Sequence, residues 1–151
     1  MLFHTHIMFG VVSFILLSPL FSGGNEVLFL VFVLLGSVLP DIDDGHSKIK
    51  KASGVIGSII SFIFKHRGIF HSLVMVIALF IVLSMWSTYY AFGLCIGYLS
   101  HLLSDALTPM GVQFLYPLTT WKLRGPIKVG SIGEWVVLFG LVILVIKELL
   151  F

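Results

Sequence analysis

Five apolar runs leave this chain few folds to choose from. They extend from Ile7 to Phe21, Val27 to Leu39, Phe70 to Trp86, Tyr89 to Leu107 and Gly133 to Leu150. A bilayer crossing takes about 20 apolar residues, within a range of about 17–25, so the second run is short for one. It spans if its polar ends reach the headgroups or if the bundle thins the bilayer locally. A sixth stretch, Gly54 to Phe64, is too short to cross and reads as an interfacial helix. Only 11% of the residues are charged and 58% are hydrophobic, against about 25% charged in a soluble domain. The expectation is an all-α fold: a polytopic transmembrane helix bundle of about five spans plus a short interfacial helix. Residues 1–151 then form a single integral membrane domain.

The first run resembles a signal peptide in length, but "MLFHTH" contains no Lys or Arg and so lacks a positive n-region. It is read as a helix of the mature protein. Cys95 is the only cysteine, which excludes an internal disulfide. The net charge of +2 is too small to indicate a nucleic-acid partner.

Threading the five runs up and down collects the polar residues at one end. The first helix starts with His4 and His6, and the second ends in "LPDIDDGHS", which holds Asp41, Asp43, Asp44 and His46. The third begins with "KHRGIFHS", which holds His66 and His71. The fourth ends with His101 and Asp105, and the fifth starts with Glu134. In an antiparallel bundle with short connections these ends share one membrane face. All six histidines and five of the seven acidic residues fall there, while the opposite loops "SGGNE" and "SMWST" contribute only Glu26. Lys48, Lys50, Lys51, Lys65, Arg67, Lys122, Arg124 and Lys128 lie on the same side, and only Lys147 lies near the other. The positive-inside rule makes that face cytoplasmic, with the N-terminus inside.

Ionisable groups in apolar helices are costly and usually functional. His101 and Asp105 stand at i and i+4 and project from one helix face, so they can share an ion. His66 and His71 would diverge on a continuous helix, but Gly68 between them permits a turn. Pro40 ends the second helix and leaves Asp41 and its neighbours on a loop at the mouth of the bundle. His6, Asp41, Asp43 or Asp44, His66, His71, His101 and Asp105 exceed the four ligands of one tetrahedral zinc. Either two metals sit side by side, or one metal is accompanied by acid and base residues. Zinc suits these imidazoles and carboxylates, and Mn or Fe accept the same set. Structural readings compete at several positions. A lone His–Asp pair can be a hydrogen-bonded packing contact. His4 and His46 read as solvated, and "SIGE" from Ser131 is a capping box that would account for Glu134. The Lys48–Lys51 cluster fixes topology and contacts anionic headgroups.

The motifs "THIMFG", "LPDIDDGHS", "HRGIFHSL" and "GYLSHLLSDALTPMGVQFLYP" resemble those of the bacterial and archaeal membrane-bound metal-dependent hydrolases of the YdjM type, a LexA-regulated group. The likeness covers nearly the whole chain. It implies a multi-helix inner-membrane protein with metal-dependent hydrolase activity. His6, Asp41, Asp43, His66, His71, His101 and Asp105 match the family's polar positions, and Glu134 does so more loosely. Asp44 departs from the pattern, since relatives often carry His there. The His-x3-Asp element is also similar, more distantly, to zinc-dependent phospholipase C and related nucleases.

These readings combine into an expectation of a hydrolase at the cytoplasmic membrane surface, with a lipid or lipid-linked phosphoester as substrate and one or two divalent ions. His6, Asp41, His66, His71, His101 and Asp105 would hold metal. Asp43 or Asp44 would accept the proton of the attacking water, and Arg67 or Lys65 would hold the phosphate. The alternative is a metal-binding transporter or scaffold without turnover. A transporter places its site near the midplane between broken helices, whereas these polar groups gather at one face.

Overall fold

The bundle is built around the fourth apolar run. In the computed structural model, which describes residues 1–43, 49, 54 and 68–150, five α-helices and no strands are found among the described residues. They are α1 (Phe3–Leu17), α2 (Glu26–Val38), α3 (Leu73–Ser84), α4 (Thr88–Ala106) and α5 (Ile132–Leu150). Short 3-10 turns cover Ser18–Leu20, Leu39–Asp43 and Ile69–His71. The all-helical expectation holds. The candidate interfacial helix from Gly54 to Phe64 lies, except for Gly54, outside the described residues.

Local chemistry sets the helix starts. Asn25 precedes α2 and its Oδ1 accepts from the Leu28 amide at 3.0 Å. Ser87 does the same for α4, accepting from the Tyr90 amide at 3.5 Å. Both are N-caps that satisfy an amide with no partner inside the helix. Pro40 stops α2 as its missing N–H requires, and the chain tightens into the 3-10 turn Leu39–Asp43. Two boundaries differ from the apolar pattern. Helix α1 begins at Phe3, earlier than Ile7, because polar contacts inside the bundle hold its first turn. Helix α3 begins only at Leu73, because His71 closes a 3-10 turn and Ser72 is extended.

Helix α4 packs against α2, α3 and α1, while α5 rests chiefly on α1. The α2–α4 crossing brings backbone against backbone. A Cβ on Gly97 would lie 1.8 Å from the Val33 carbonyl oxygen, and one on Gly36 would lie 2.1 Å from that of Leu94. Small residues at such crossings let apolar helices approach closely and gain dispersion contacts. Phe29, Val33 and Ile96 fill one half of the interior. Val76, Cys95, Tyr98, Leu102, Ala106 and Val112 fill the other.

The outer surface is apolar. Val27, Val31, Leu35, Ile77, Ile81, Val82, Val136, Phe139, Ile143 and Leu149 are all exposed. Among the described residues one stretch, Phe3–Leu20, is by length and composition enough to cross a membrane, and α3 is a shorter apolar helix.

Candidate metal centre

The crossing at Gly97 decides where the site forms. One turn further along α4, His101 comes level with the end of α2, and its Nδ1 lies 2.8 Å from the Ser37 carbonyl oxygen. A carbonyl only accepts, so Nδ1 carries the proton and Nε2 presents a lone pair. His6 on α1 is fixed by the same logic through Ser104. The Ser104 hydroxyl donates to the His101 carbonyl at 2.8 Å, and its oxygen therefore accepts from His6 Nδ1–H at 2.7 Å. His6 Nε2 is left as an acceptor as well. The two rings stack, with centroids 3.9 Å apart and planes 13° from parallel.

Both Nε2 atoms point at carboxylates. His101 Nε2 lies 3.5 Å from Asp41 Oδ1 and 3.8 Å from Asp105 Oδ2. His6 Nε2 lies 3.6 Å from Asp105 Oδ1 and 4.0 Å from Asp41 Oδ2. Neither Nε2 makes a hydrogen bond among the described residues. His6, His101 and Asp105 are buried, and the Asp41 side chain is 19% exposed. Acceptors converging in a buried group repel one another and favour a cation among them, a place that the Met1 ammonium takes in part at Asp105 Oδ1.

The donor set also fits a metal in size. One atom from each of His6, Asp41, His101 and Asp105 can be chosen so that all lie within 4.8 Å of one another. Tetrahedral bonds of about 2.0–2.2 Å put neighbouring ligands about 3.3–3.6 Å apart. The nitrogen–oxygen separations run from 3.5 to 4.0 Å, so binding one ion would draw the four residues inward and tilt the stacked rings apart.

His71 approaches the same carboxylates from the turn before α3. Its Nε2 lies 3.8 Å from Asp41 Oδ1 and 3.7 Å from Asp105 Oδ2, and its Nδ1 lies 3.3 Å from Asp43 Oδ2. Asp43 is buried behind the ring. A carboxylate on the rear nitrogen of a ligating histidine fixes its tautomer and raises its basicity. The sequence offers Asp43 as a proton acceptor for water; in the structure its carboxylate lies against His71 Nδ1.

Four of the expected ligands thus form one group, with His71 adjoining it. Asp44, Lys65, His66 and Arg67 lie outside the described residues, as do His46, Lys48, Lys50 and Lys51. His4 is exposed and stands against the Trp135 ring at 5.5 Å, apart from the group.

Glu134 is buried and performs a different task from the capping box that "SIGE" suggests. Its Oε2 accepts from the Gly130 amide and its Oε1 from the Leu2 amide, both at 2.6 Å. The Ser131 amide goes to the Lys128 carbonyl instead. Glu134 therefore clasps the start of α1 to the start of α5. The Met1 ammonium contacts Asp105 Oδ1 at 2.5 Å. Neither this contact nor the Ser37 and Ser104 supports leave a pattern in the sequence, because each joins residues far apart in the chain.

Comparison with known proteins finds relatives among inner membrane proteins. The family model of the YdjM inner membrane proteins matches residues 1–150. The YvsG protein of Bacillus subtilis (strain 168) is 35% identical over 141 residues, covering 91% of this chain and 87% of its own length. The inner membrane protein YdjM of Escherichia coli (strain K12) is 35% identical over 125 residues, covering 78% of this chain. The match spans 63% of the length of that relative. No solved structure matches.

Proposed function

The chain belongs to the family of YdjM inner membrane proteins, and we propose that it is a multi-pass, metal-dependent hydrolase of a lipid or lipid-linked phosphoester, with its site at the cytoplasmic face. The observation that carries this reading is the pair of stacked histidines, both fixed with Nε2 as an acceptor and both aimed at the same two carboxylates. The apolar outer surface and the one-sided basic residues support a polytopic bundle in the orientation the positive-inside rule assigns.

His6, Asp41, His101 and Asp105 would hold the ion, with His71 beside them. Zinc is the proposed metal from the mixed nitrogen and oxygen donors, and Mn or Fe fit the same ligands. A divalent cation there supplies Lewis acidity toward a phosphoester and eases deprotonation of water. Ser37 and Ser104 keep the two imidazoles aligned, and Asp43 holds His71. Asp41 is the most exposed member of the group, and substrate and water would reach the ion from its side. Asp44 is the proposed proton acceptor, and Arg67 or Lys65 the proposed phosphate contact.

Metal analysis of detergent-purified protein, followed by a screen of phospholipids and generic phosphoesters, tests the reading. Metal-loaded protein that hydrolyses some phosphoester and loses turnover but not metal on Asp44→Asn supports it. Metal-loaded protein that cleaves none, yet moves metal across proteoliposomes, establishes the transporter in its place.

A further inference from the structure

Between Asp105 and Glu134 the chain carries no acidic residue, but it carries Lys122, Arg124 and Lys128. This connection is not a slack loop. Val112 and Leu123 exchange both of their backbone hydrogen bonds, each at 3.0 Å, as an antiparallel bridge. Beyond it the Gly125 amide donates to the Thr108 carbonyl and the Ile127 amide to the Leu107 carbonyl. The tip is braced by the Gln113 side-chain amide, which donates to the Thr120 carbonyl at 2.9 Å. Gly111 takes a positive φ of 67°, and a Cβ there would lie 2.4 Å from the Leu123 carbonyl oxygen. The hairpin is thus seated against the end of α4, close behind Asp105.

What this rigid hairpin displays is unusual for a surface in water. Leu118 is 85% exposed and Trp121 is 62% exposed, with Met110, Leu115 and Leu123 exposed near them. Arg124 and Lys128 are exposed and Lys122 is half-buried, and none of the three makes an ion pair among the described residues. Apolar side chains, a tryptophan and three cations on one loop of a membrane protein match the layered chemistry of a bilayer surface. Tryptophan settles at headgroup level, leucine enters the acyl boundary and cations meet lipid phosphates. The absence of any carboxylate selects lipids with net negative charge over zwitterionic ones.

We propose that the hairpin from Met110 to Lys128 is an anionic-phospholipid docking surface, lying in the headgroup layer of the membrane that holds the bundle. Leu118 and Trp121 enter the bilayer, and Lys122, Arg124 and Lys128 bind the headgroup phosphates. This site is separate from the metal group and needs no turnover there. It rests on membrane residence alone.

The test uses full-length protein in which Trp121 is the sole tryptophan, Trp86→Phe/Trp135→Phe, reconstituted into phosphatidylcholine vesicles. Part of the lipid is replaced by phosphatidylglycerol, or in a parallel series by phosphatidylcholine, brominated close to the glycerol. Trp121 fluorescence is expected to be quenched by both, with half-quenching at a lower mole fraction of the anionic lipid. Lys122→Gln, Arg124→Gln and Lys128→Gln should each lower that preference by up to about fivefold, and the triple variant should abolish it while quenching persists. A Trp86-only protein, Trp121→Phe/Trp135→Phe, reports from the opposite end of α3 and should not share the preference. Equal quenching of Trp121 by the two lipids overturns the proposal. So does quenching by neither, which would mean that a protein surface or bulk water covers the hairpin.

Discussion

His6 and His101 lie face to face, 3.9 Å between ring centroids, and each is tied by its Nδ1 to a different acceptor of the bundle interior. Two imidazoles stacked in this way keep their Nε2 lone pairs in near-parallel planes, so the rings would have to tilt apart for both to face one ion. Asp41 and Asp105 would complete a set of four candidate ligands. His6→Ala and His101→Ala should each remove most of the divalent metal that copurifies with the protein, while His4→Ala should retain it. Elemental analysis of the purified variants checks this, and full metal content in both of the first two would rule out the site.

Ser104 touches no candidate ligand atom, yet its hydroxyl sets the tautomer of His6. Ser104→Ala should weaken metal binding by about 10–100-fold, the range for a lost supporting contact. The helix should survive, because alanine is the best helix former. Competition with a graded series of chelators measures the affinity, and circular dichroism checks the fold.

The α2–α4 crossing should tolerate nothing larger than glycine. Gly97→Ala puts a methyl group 1.8 Å from the Val33 carbonyl oxygen, and the helices must separate. Overpacking of this kind costs about 1–3 kcal/mol, occasionally more. Separation also draws His101 away from Ser37, so metal affinity should fall together with stability. Gly140→Ala has open space around it in the middle of α5 and should raise stability by about 0.5–1 kcal/mol, alanine being the better helix former. Thermal melts of the two variants in one detergent make the comparison, and equal melting temperatures would contradict it.

Glu134→Gln keeps the shape of the clasp but replaces one accepting oxygen with a donor. Either the Gly130 or the Leu2 amide then loses its partner, at a cost of about 1–3 kcal/mol for a buried group. The start of α1 should become accessible to protease before the rest of the bundle unfolds. Limited proteolysis with mapping of the cut sites reads this directly, and unchanged protection would mean that α1 is held by its apolar packing alone.

Much of the site was legible because apolar runs make polar residues conspicuous. His101 and Asp105 stand out at i and i+4 near the end of a helix, and Asp41 follows a proline that must end one. Helix ends brought to the same face then select His6 and His71. The supporting contacts were not legible. The partner of His101 is a backbone carbonyl 64 positions away, and that of His6 is a hydroxyl 98 positions away, one that sequence alone reads as ordinary helix. Asp43 was read by its type as a base, and only the packing of the turn before α3 turns it toward His71. Glu134 satisfied a local pattern so well that its long-range bond to Leu2 was hidden behind it.

The clasp between Leu2 and Glu134 also sets an order of assembly. A ribosome delivers Leu2 132 positions ahead of Glu134, so α1 is made long before its anchor exists. Until the last helix is made, the first turn of α1, and His6 with it, lacks the carboxylate that holds it in place. A nascent chain arrested before α5 would therefore carry His6, Asp41, His101 and Asp105 without the clasp.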